Sequence, residues 1–508
     1  MLEQAVSEQQ SKSRWMIEIV LVILLALVGA WLVVHQVIRP GYTDSFYHYN
    51  AAVRLASGQG LTDTYLWTYI GQPQPLPDQI PVQTVPSHLY WMPLTSLLAG
   101  GSMWLFKAPG NYAVAQFPLV LAFAGTILIG YRLGYRLGGT RRHAIVAAAL
   151  TLFSGFFAKF WGETDTFAVY ALVGSGCLLA LSYGLEAQTR RLIWFLLAGV
   201  LAGLGHLTRA DGLLLILTGF LAVIATVRDR ENARRIPLQL FYLLIGYLIV
   251  MLPWFIRMIQ VTGSPLPVGG LQGAWFTEYN DLFRFPPDAN ASEFFAGGID
   301  LFLKTRWTAF IQNLQTLLFV EGYVVLMPLM LIGVWMAWRK QPRLMLPFLL
   351  FTAGIHVAMT LVFPFPGWRG GLLHGITALI PWWAALTGVG LDGVVDWIAR
   401  RRRRWQPGTA KQFFSAAVIA LAVLLSLSGL RGISQSTAMP GFYMALQRTL
   451  PPDARVLIND PAQLYYYIGL GGAVLPNESA EILPELARQY EINYVVLENV
   501  TEDGTGLL

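Results

Sequence analysis

Charge and cysteine are scarce in this chain. Asp, Glu, Lys and Arg make up 13% of its 508 residues, against about 25% in soluble domains. That scarcity excludes a soluble globular enzyme, and a 55% hydrophobic composition excludes a disordered chain. The single cysteine, Cys177, excludes an intrachain disulfide framework. Long alternating strands are missing too, which argues against a transmembrane β-barrel. The formal charge of +6 says nothing of nucleic acid until the charges are placed. Once placed, they mark membrane topology, and no nucleic-acid partner is expected.

Long apolar runs are abundant. Eleven segments read as membrane spans: 16–37, 113–131, 143–158, 167–183, 192–205, 212–227, 237–256, 312–337, 344–363, 372–396 and 412–430. They average close to the ~20 residues that cross a ~30 Å hydrocarbon core. With the N-terminus inside, the inner segments hold 21 Lys and Arg in 64 positions, and the outer segments hold 14 in 230. Basic residues concentrate in short cytoplasmic loops, so the expected topology is N-inside and C-outside in the plasma (inner) membrane. The run Arg400 to Arg404 is its clearest mark. The first span is too long for a signal peptide, and Val37-Ile38-Arg39-Pro40 is a poor cleavage site.

The expected fold is therefore an α-helical polytopic membrane protein with about 11 transmembrane helices and a small C-terminal extracytoplasmic α/β domain. Residues 1–15 form a cytoplasmic N-terminus, 16–430 the membrane module and 431–508 the outer domain. Long outer loops span 38–112 and 257–311. Within the tail, 454–459 reads as a strand. Pro461 to Ile468 reads as a helix capped by Asp460. A strand at Gly472–Leu475, a helix at Ser479–Tyr490 and a strand at Ile492–Leu497 follow. This β-α-β-α-β order predicts a small parallel sheet. The tail has no glycine-rich phosphate fingerprint after a strand, so it reads as a docking or acceptor-recognition module.

Long outer loops put the chemistry outside. Asp44 lies seven residues past the first span, among Tyr42, Phe46, Tyr47 and Tyr49. Desolvation there would raise its pKa and suit it to be a general base. The alternative is a helix N-cap for an interfacial amphipathic helix running from Tyr47 to Ser57. Glu163 and Asp165 occupy a tiny outer turn, and with Asp44 they could hold a divalent cation, Mg or Mn. Arg209 and Asp211 lie between two short spans, at a depth where ionisable groups are functional suspects or a closed ion pair. Arg369, flanked by glycines, suits capture of a phosphate or could simply snorkel. His88 and His48 are candidate substrate contacts, with Tyr47 beside them; a structural role is the alternative for both histidines. His374 reads as a core histidine, and Glu321 receives no role. The tryptophans read mostly as interfacial belts, although Trp67, Trp91 and Trp161 fall in outer loops.

These residues resemble a known group. "Asp44-Ser-Phe-Tyr-His-Tyr", followed by "Leu55-Ala-Ser-Gly58-Gln-Gly60-Leu", looks like the opening of the GT-C glycosyltransferases. Its nearest branches are bacterial protein mannosyltransferase and aminoarabinose-transferase relatives, glycosyltransferase family 39. "His88-Leu-Tyr-Trp-Met-Pro93-Leu" resembles the end of their first loop, and "Glu163-Thr-Asp165-Thr-Phe" their second acidic site. "Leu207-Thr-Arg209-Ala-Asp211-Gly-Leu" is similar to a further segment of theirs. Two departures stand out. Asp44 is followed by Ser45 rather than Glu, and the Trp-Trp-Asp signature of oligosaccharyltransferases is absent.

The resemblance implies transfer of one sugar from a polyprenyl-phosphate donor to a lipid, glycan or protein acceptor at the outer face, with inversion. It casts Asp44 as base, Asp165 or Glu163 as acceptor-orienting or cation-holding groups, and Arg209 and Arg369 as phosphate contacts. The competing expectations are a transporter or flippase of lipid-linked glycans and a non-catalytic assembly protein. No internal repeat favours the transporter.

Overall fold

The computed structural model describes residues 2–71, 84–226, 230–267, 269–402, 404–433 and 436–497, with side chains described from residue 17 onward except 230–232. Arg403 in the basic run and part of the first outer loop, 72–83, lie outside the described residues.

The chain is a helical membrane protein. Among the described residues, eight helices are long and apolar enough to cross a bilayer: 17–34, 112–138, 167–186, 191–208, 233–262, 342–362, 364–399 and 407–430. Three other expected spans are helices that stop short. The helix Arg141–Leu152 gives way to a 3₁₀ turn at Gly155–Lys159. The helix Leu213–Ile224 has twelve residues. The segment expected at 312–337 breaks after a π-turn at Thr316–Glu321 and resumes at Met327–Lys340.

Tight helix contacts come from small residues, because lipid gives helices little hydrophobic reason to associate. A Cβ at Gly199 would sit 2.0 Å from Leu243 O, and one at Gly203 would sit 2.9 Å from Tyr247 O. Gly246 answers from the facing helix, 2.2 Å from Leu196 O. These glycines bring the helices Arg191–Thr208 and Arg230–Thr262 backbone to backbone.

The fourth outer loop is shorter than expected. Residues 257–262 belong to the long helix Arg230–Thr262, and a second helix starts at Gly298. That helix exposes Ile299, Leu303, Trp307, Phe310 and Leu314, one apolar stripe at helical spacing. It contacts segments 358–362 and 364–371. Asp300, Lys304 and Arg306 dilute its apolar signal, which is why it reads as loop in the sequence.

Glu321 is buried at the break, where its Oε2 accepts from Trp383 Nε1 at 2.8 Å and His356 Nε2 lies 2.9 Å from Oε1. A buried carboxylate needs such partners. Here they tie the break to two neighbouring helices.

Among the described residues there are six short strands: β1 Thr62–Asp63, β2 Tyr65–Leu66, β3 Val85–Pro86, β4 Arg455–Ile458, β5 Gly471–Val474 and β6 Tyr494–Val495. β1 and β3 pair antiparallel across the first loop. The other four form one parallel sheet in the order β2-β5-β4-β6. One strand of the C-terminal sheet is therefore supplied by the first loop, with Tyr65 opposite Gly472 and Leu66 opposite Ala473. Tyr69 OH donates to Val474 O at 2.6 Å and Asn50 Nδ2 to Ala462 O at 2.8 Å, so the tail is sewn onto the loop. Between β4 and β5, Asp460 Oδ1 accepts from Gln463 N at the start of the helix Pro461–Ile468.

Candidate active site

Asp44 stands in the first turn of the helix Thr43–Ala56, whose N-cap is Tyr42 without a side-chain cap. The capping alternative for Asp44 is therefore not realised. Nor does the helix float on an interface. It begins at Thr43 rather than Tyr47, and Ser45 to Ala52 are all buried. The helix Leu94–Leu105 and the C-terminal helix Pro461–Ile468 pack on it.

Asp44, Asp165 and His374 offer ligand atoms that all lie within 4.8 Å of one another. Asp165 comes from the turn before the helix Phe167–Glu186, and His374 from the broken segment around Gly367–Gly375. His374 Nδ1 lies 3.6 Å from Asp165 Oδ2 and 2.9 Å from Thr166 Oγ1, with its ring stacked on Phe167 at 3.9 Å. Two carboxylates and an imidazole form a donor set suited to a divalent cation.

This corrects the sequence-based trio in one place. Glu163 does not join it. Its Oε2 accepts from Gly41 N at 3.0 Å and Ser45 Oγ at 2.7 Å, holding one backbone group and one side chain on either side of Asp44. Nor is His374 a bystander in the core.

The electrostatics divide the two aspartates. Burial pushes the Asp44 carboxyl up, and the charge of Asp165 pushes it further, with Arg209 opposing. Burial raises Asp165 as well, but His374, His48 and hydrogen bonds from Tyr42 and Thr166 outweigh it and hold it low. Tyr42 OH donates to Asp165 Oδ2 at 2.8 Å. Asp165 thus carries the settled negative charge, and Asp44 is the stronger base. Burial also pushes Glu163 up to about 7, against the hydrogen bonds it accepts.

Arg209 is held at the rim of this cluster. Its Nε and Nη2 reach the two oxygens of Asp211 at 2.8 and 3.0 Å, and Nη2 also donates to Gly371 O at 3.2 Å. Asp211 therefore acts on Arg209, fixing its planar fork. Arg369 is exposed and lies over Tyr279 at 4.8 Å from the ring centre. Burial raises the phenol of Tyr279, with the charges of Asp44 and Asp460 pushing the same way and Arg369 opposing.

The histidines of the first loop are further back. His88 is buried in a left-handed conformation (φ 59°), with Nδ1 2.8 Å from Ser87 Oγ and Nε2 2.9 Å from Ser96 Oγ. Both ring nitrogens are taken, so it has none to give a phosphate. His48 Nδ1 lies 2.9 Å from the same Ser96 Oγ, while its buried Nε2 has no hydrogen-bond partner among the described residues. Burial lowers His48 to about 4, against the attraction of Asp165. Tyr47 OH accepts from His88 N at 2.7 Å, making it a brace for the loop.

Sequence reasoning missed Tyr279 and Asp460. Asp460 reads only as a cap, yet its other oxygen, Oδ2, faces the helix of Asp44 and accepts from Thr43 Oγ1 at 2.6 Å. Nothing local in the sequence announces that contact.

Fold and site together define a polytopic membrane protein with two acids and a histidine from separate segments gathered at the ends of its helices. Residues 87–256 match the family described as dolichyl-phosphate-mannose-protein mannosyltransferase, about a third of the chain. Solved structures match nearly all of it. The oligosaccharyltransferase AglB from Archaeoglobus fulgidus, in complex with an inhibitory peptide and a dolichol-phosphate, is 15% identical with a TM-score of 0.58 over 93% of this chain and 69% of that one. ArnT from Cupriavidus metallidurans, bound to undecaprenyl phosphate, is 14% identical with a TM-score of 0.57 over 94% of this chain and 89% of that one. The Archaeoglobus fulgidus oligosaccharyltransferase in complex with Zn and sulfate is 14% identical, TM-score 0.57, over 89% and 62%. No curated protein sequence matches. The chain has the GT-C fold.

Proposed function

We propose that this protein is a membrane glycosyltransferase that moves a single sugar from a polyprenyl-phosphate donor to a lipid, glycan or protein acceptor at the outer membrane face. The observation that carries this reading is the meeting of Asp44, Asp165 and His374 in one cluster with the braced Arg209 at its edge. A phosphate leaving group at the end of a lipid needs a cation near the bilayer surface. Arg209 supplies it, with Arg369 across Tyr279 as the second contact. The apolar stripe of the helix Gly298–Gln315 offers the lipid tail a surface beside these groups.

The acceptor hydroxyl attacks the anomeric carbon as the bond from that carbon to the phosphate oxygen breaks. The electron pair leaves with the polyprenyl phosphate, and the hydroxyl proton passes to the Asp44 carboxylate. Attack opposite the leaving group inverts the anomeric centre. Phosphate leaves readily, so one base suffices. A bound Mg or Mn, held by Asp44, Asp165 and His374, would supply positive charge for the donor phosphate. The likeness to a structure solved with Zn supports such a cation. The C-terminal unit, docked on the helix of Asp44, fits acceptor recognition. The distribution of Lys and Arg supports a plasma-membrane protein with N-inside and C-outside topology.

The test is transfer from a panel of polyprenyl-phosphate sugars by the purified full chain and its Asp44→Asn variant. The expected result is loss of turnover by about 10²–10⁴-fold, read at saturating donor and Mg so that weakened cation or donor binding is excluded as its cause. A variant that transfers as fast as the wild type would remove the base assignment, and no transfer from any donor would remove the reading.

A further inference from the structure

The C-terminal sheet ends in an open strand. β6 is the last strand in the order β2-β5-β4-β6, and among the described residues no strand pairs with its other edge. Val496 N donates to Leu457 O on the β4 side, so the amide of Val495, one residue earlier, points to the open side. Natural edges are blunted with charge, proline or a covering element, because a bare edge recruits other chains. Here Tyr494, Val495 and Leu497 are 38%, 45% and 47% exposed. Beside them lies a groove of about 690 Å³, open along one side. The helix Leu483–Tyr490 walls it with Leu483, Pro484 and Ala487, and the buried Leu457 and Ile492 line its depth.

The rim of the groove is acidic. Glu481 and Glu485 stand exposed next to Ala480 and Pro484, which line it, and neither forms an ion pair among the described residues. The helix links β5 to β6, and both strands run parallel to β4, so the helix returns against them. Its acidic start therefore lies at the C-terminal ends of the strands. That end also meets the helix of Asp44. Asp460 follows β4 by two residues and accepts from Thr43 Oγ1. β6 runs one strand spacing from β4, ~4.8 Å, and a strand added outside it would lie about 10 Å from β4. About three or four extended residues span such a distance. A lipid tail would fill the apolar groove but leave the strand edge unpaired. An extended polypeptide meets both, with main-chain bonds to the edge and alternate side chains in the groove. The two free carboxylates favour Lys or Arg upon it.

We propose that β6 and the helix Leu483–Tyr490 clasp an extended polypeptide segment as a fifth strand of the sheet, apolar toward the groove and basic toward Glu481 and Glu485. The segment belongs to a protein acceptor whose hydroxyl lies a few residues further on, at Asp44. The proposal gives the C-terminal unit a defined acceptor surface, and it rests on the glycosyltransferase reading for its use. The surface selects extended backbone and charge rather than one sequence. It lies apart from the residues assigned to the base, the cation and the phosphate.

The experiment uses the full chain in nanodiscs and a fluorescent peptide of alternating valine and lysine with serine at both ends. Anisotropy should show binding that weakens about tenfold on N-methylation of one alternate set of residues, the valines or the lysines, since that removes the main-chain donors facing the edge. Joint Glu481→Lys and Glu485→Lys substitution should weaken it about fivefold and reduce its salt dependence. Ala487→Arg should fill the groove and abolish binding. The methylated peptides test the same contact on unaltered protein, so a misfolded variant cannot stand in for it. In transfer assays with the parent peptide, the charge-reversed chain should show a higher acceptor KM at unchanged kcat and donor KM. No binding, equal binding of both methylated peptides, or an unmoved acceptor KM would overturn the proposal. So would binding that appears only after deletion of residues 498–508, which gives the groove to the chain's own end. Loss of a dimer on Ala487→Arg gives it to a second copy and overturns the proposal too. Peptide binding is read without turnover, so intact binding with no transfer from any donor would sink the glycosyltransferase reading and leave the docking surface standing.

Discussion

Thr43 Oγ1 donates to Asp460 Oδ2 at 2.6 Å, although the two residues are 417 apart in sequence. The bond joins the residue next to Asp44 to the cap of a helix in the C-terminal sheet. Burial raises the Asp460 carboxyl and the Thr43 bond lowers it, so the pair is matched to a dry interface. Thr43→Val keeps the shape and removes the donor. We expect a loss of about 1–3 kcal/mol, the cost of an unsatisfied buried acceptor, seen as a lower thermal midpoint. Turnover should fall with it, because the first turn carrying Asp44 loses its outer anchor. A midpoint and rate equal to wild type would mean the contact holds nothing.

Arg209 and Asp211 make the second prediction. Arg209→Lys keeps the charge but not the planar fork. Affinity for undecaprenyl phosphate should fall about tenfold or more by calorimetry, and Asp211→Asn should give a smaller fall in the same direction. Equal affinities in all three proteins would take Arg209 away from the phosphate.

The cation prediction is separate. EDTA should suppress transfer and added Mg or Mn restore it. His374→Ala should raise the metal concentration needed for half-maximal rate, while Glu163→Gln should not, because Glu163 is engaged with Gly41 and Ser45. Transfer indifferent to EDTA would leave Asp44, Asp165 and His374 as a proton-handling cluster only.

Asp63 sets a pH dependence of stability. Burial raises its carboxyl to about 7 in the folded chain, against about 3.9 when unfolded. The fold therefore prefers the neutral form. Its stabilising effect is complete below about pH 4, is lost progressively as pH rises toward 7, and is gone above that. The span corresponds to about 4 kcal/mol. Measured against Asp63→Asn, the wild-type thermal midpoint should drop steadily from pH 5 to pH 7 and then level off. A constant difference between the two proteins would show that Asp63 is ionised throughout.

Much of this was legible without coordinates, for identifiable reasons. The apolar runs mark the helices because lipid demands about twenty such residues. Asp460 and Pro461 announce a helix start because capping is local chemistry, and the helix is there at Pro461–Ile468. Asp44 and Asp165 stand out because charge near a span is expensive. What stayed hidden is non-local. His374 lies in an apolar run that breaks at Gly370, whose φ of 155° no periodicity reveals. Glu163 looks equivalent to Asp165 in a two-residue spacing, yet one faces the cluster and the other the backbone of Gly41. Trp67 and Trp91 resemble interfacial tryptophans until β1 and β3 pair and bring them together beside Asp63.

The sheet order β2-β5-β4-β6 also constrains how the protein matures. Asn50 and Ala462, joined across this seam, are separated by 412 residues of chain. The first loop emerges early in synthesis, but its strand has no partner until almost all later helices have been threaded into the bilayer. A ribosome stalled anywhere upstream of the tail would leave Asp44 on an unbraced helix. The helix carrying Asp44 thus gains its brace only once residues 461–474 have been made, so this part of the fold closes after the membrane helices between them.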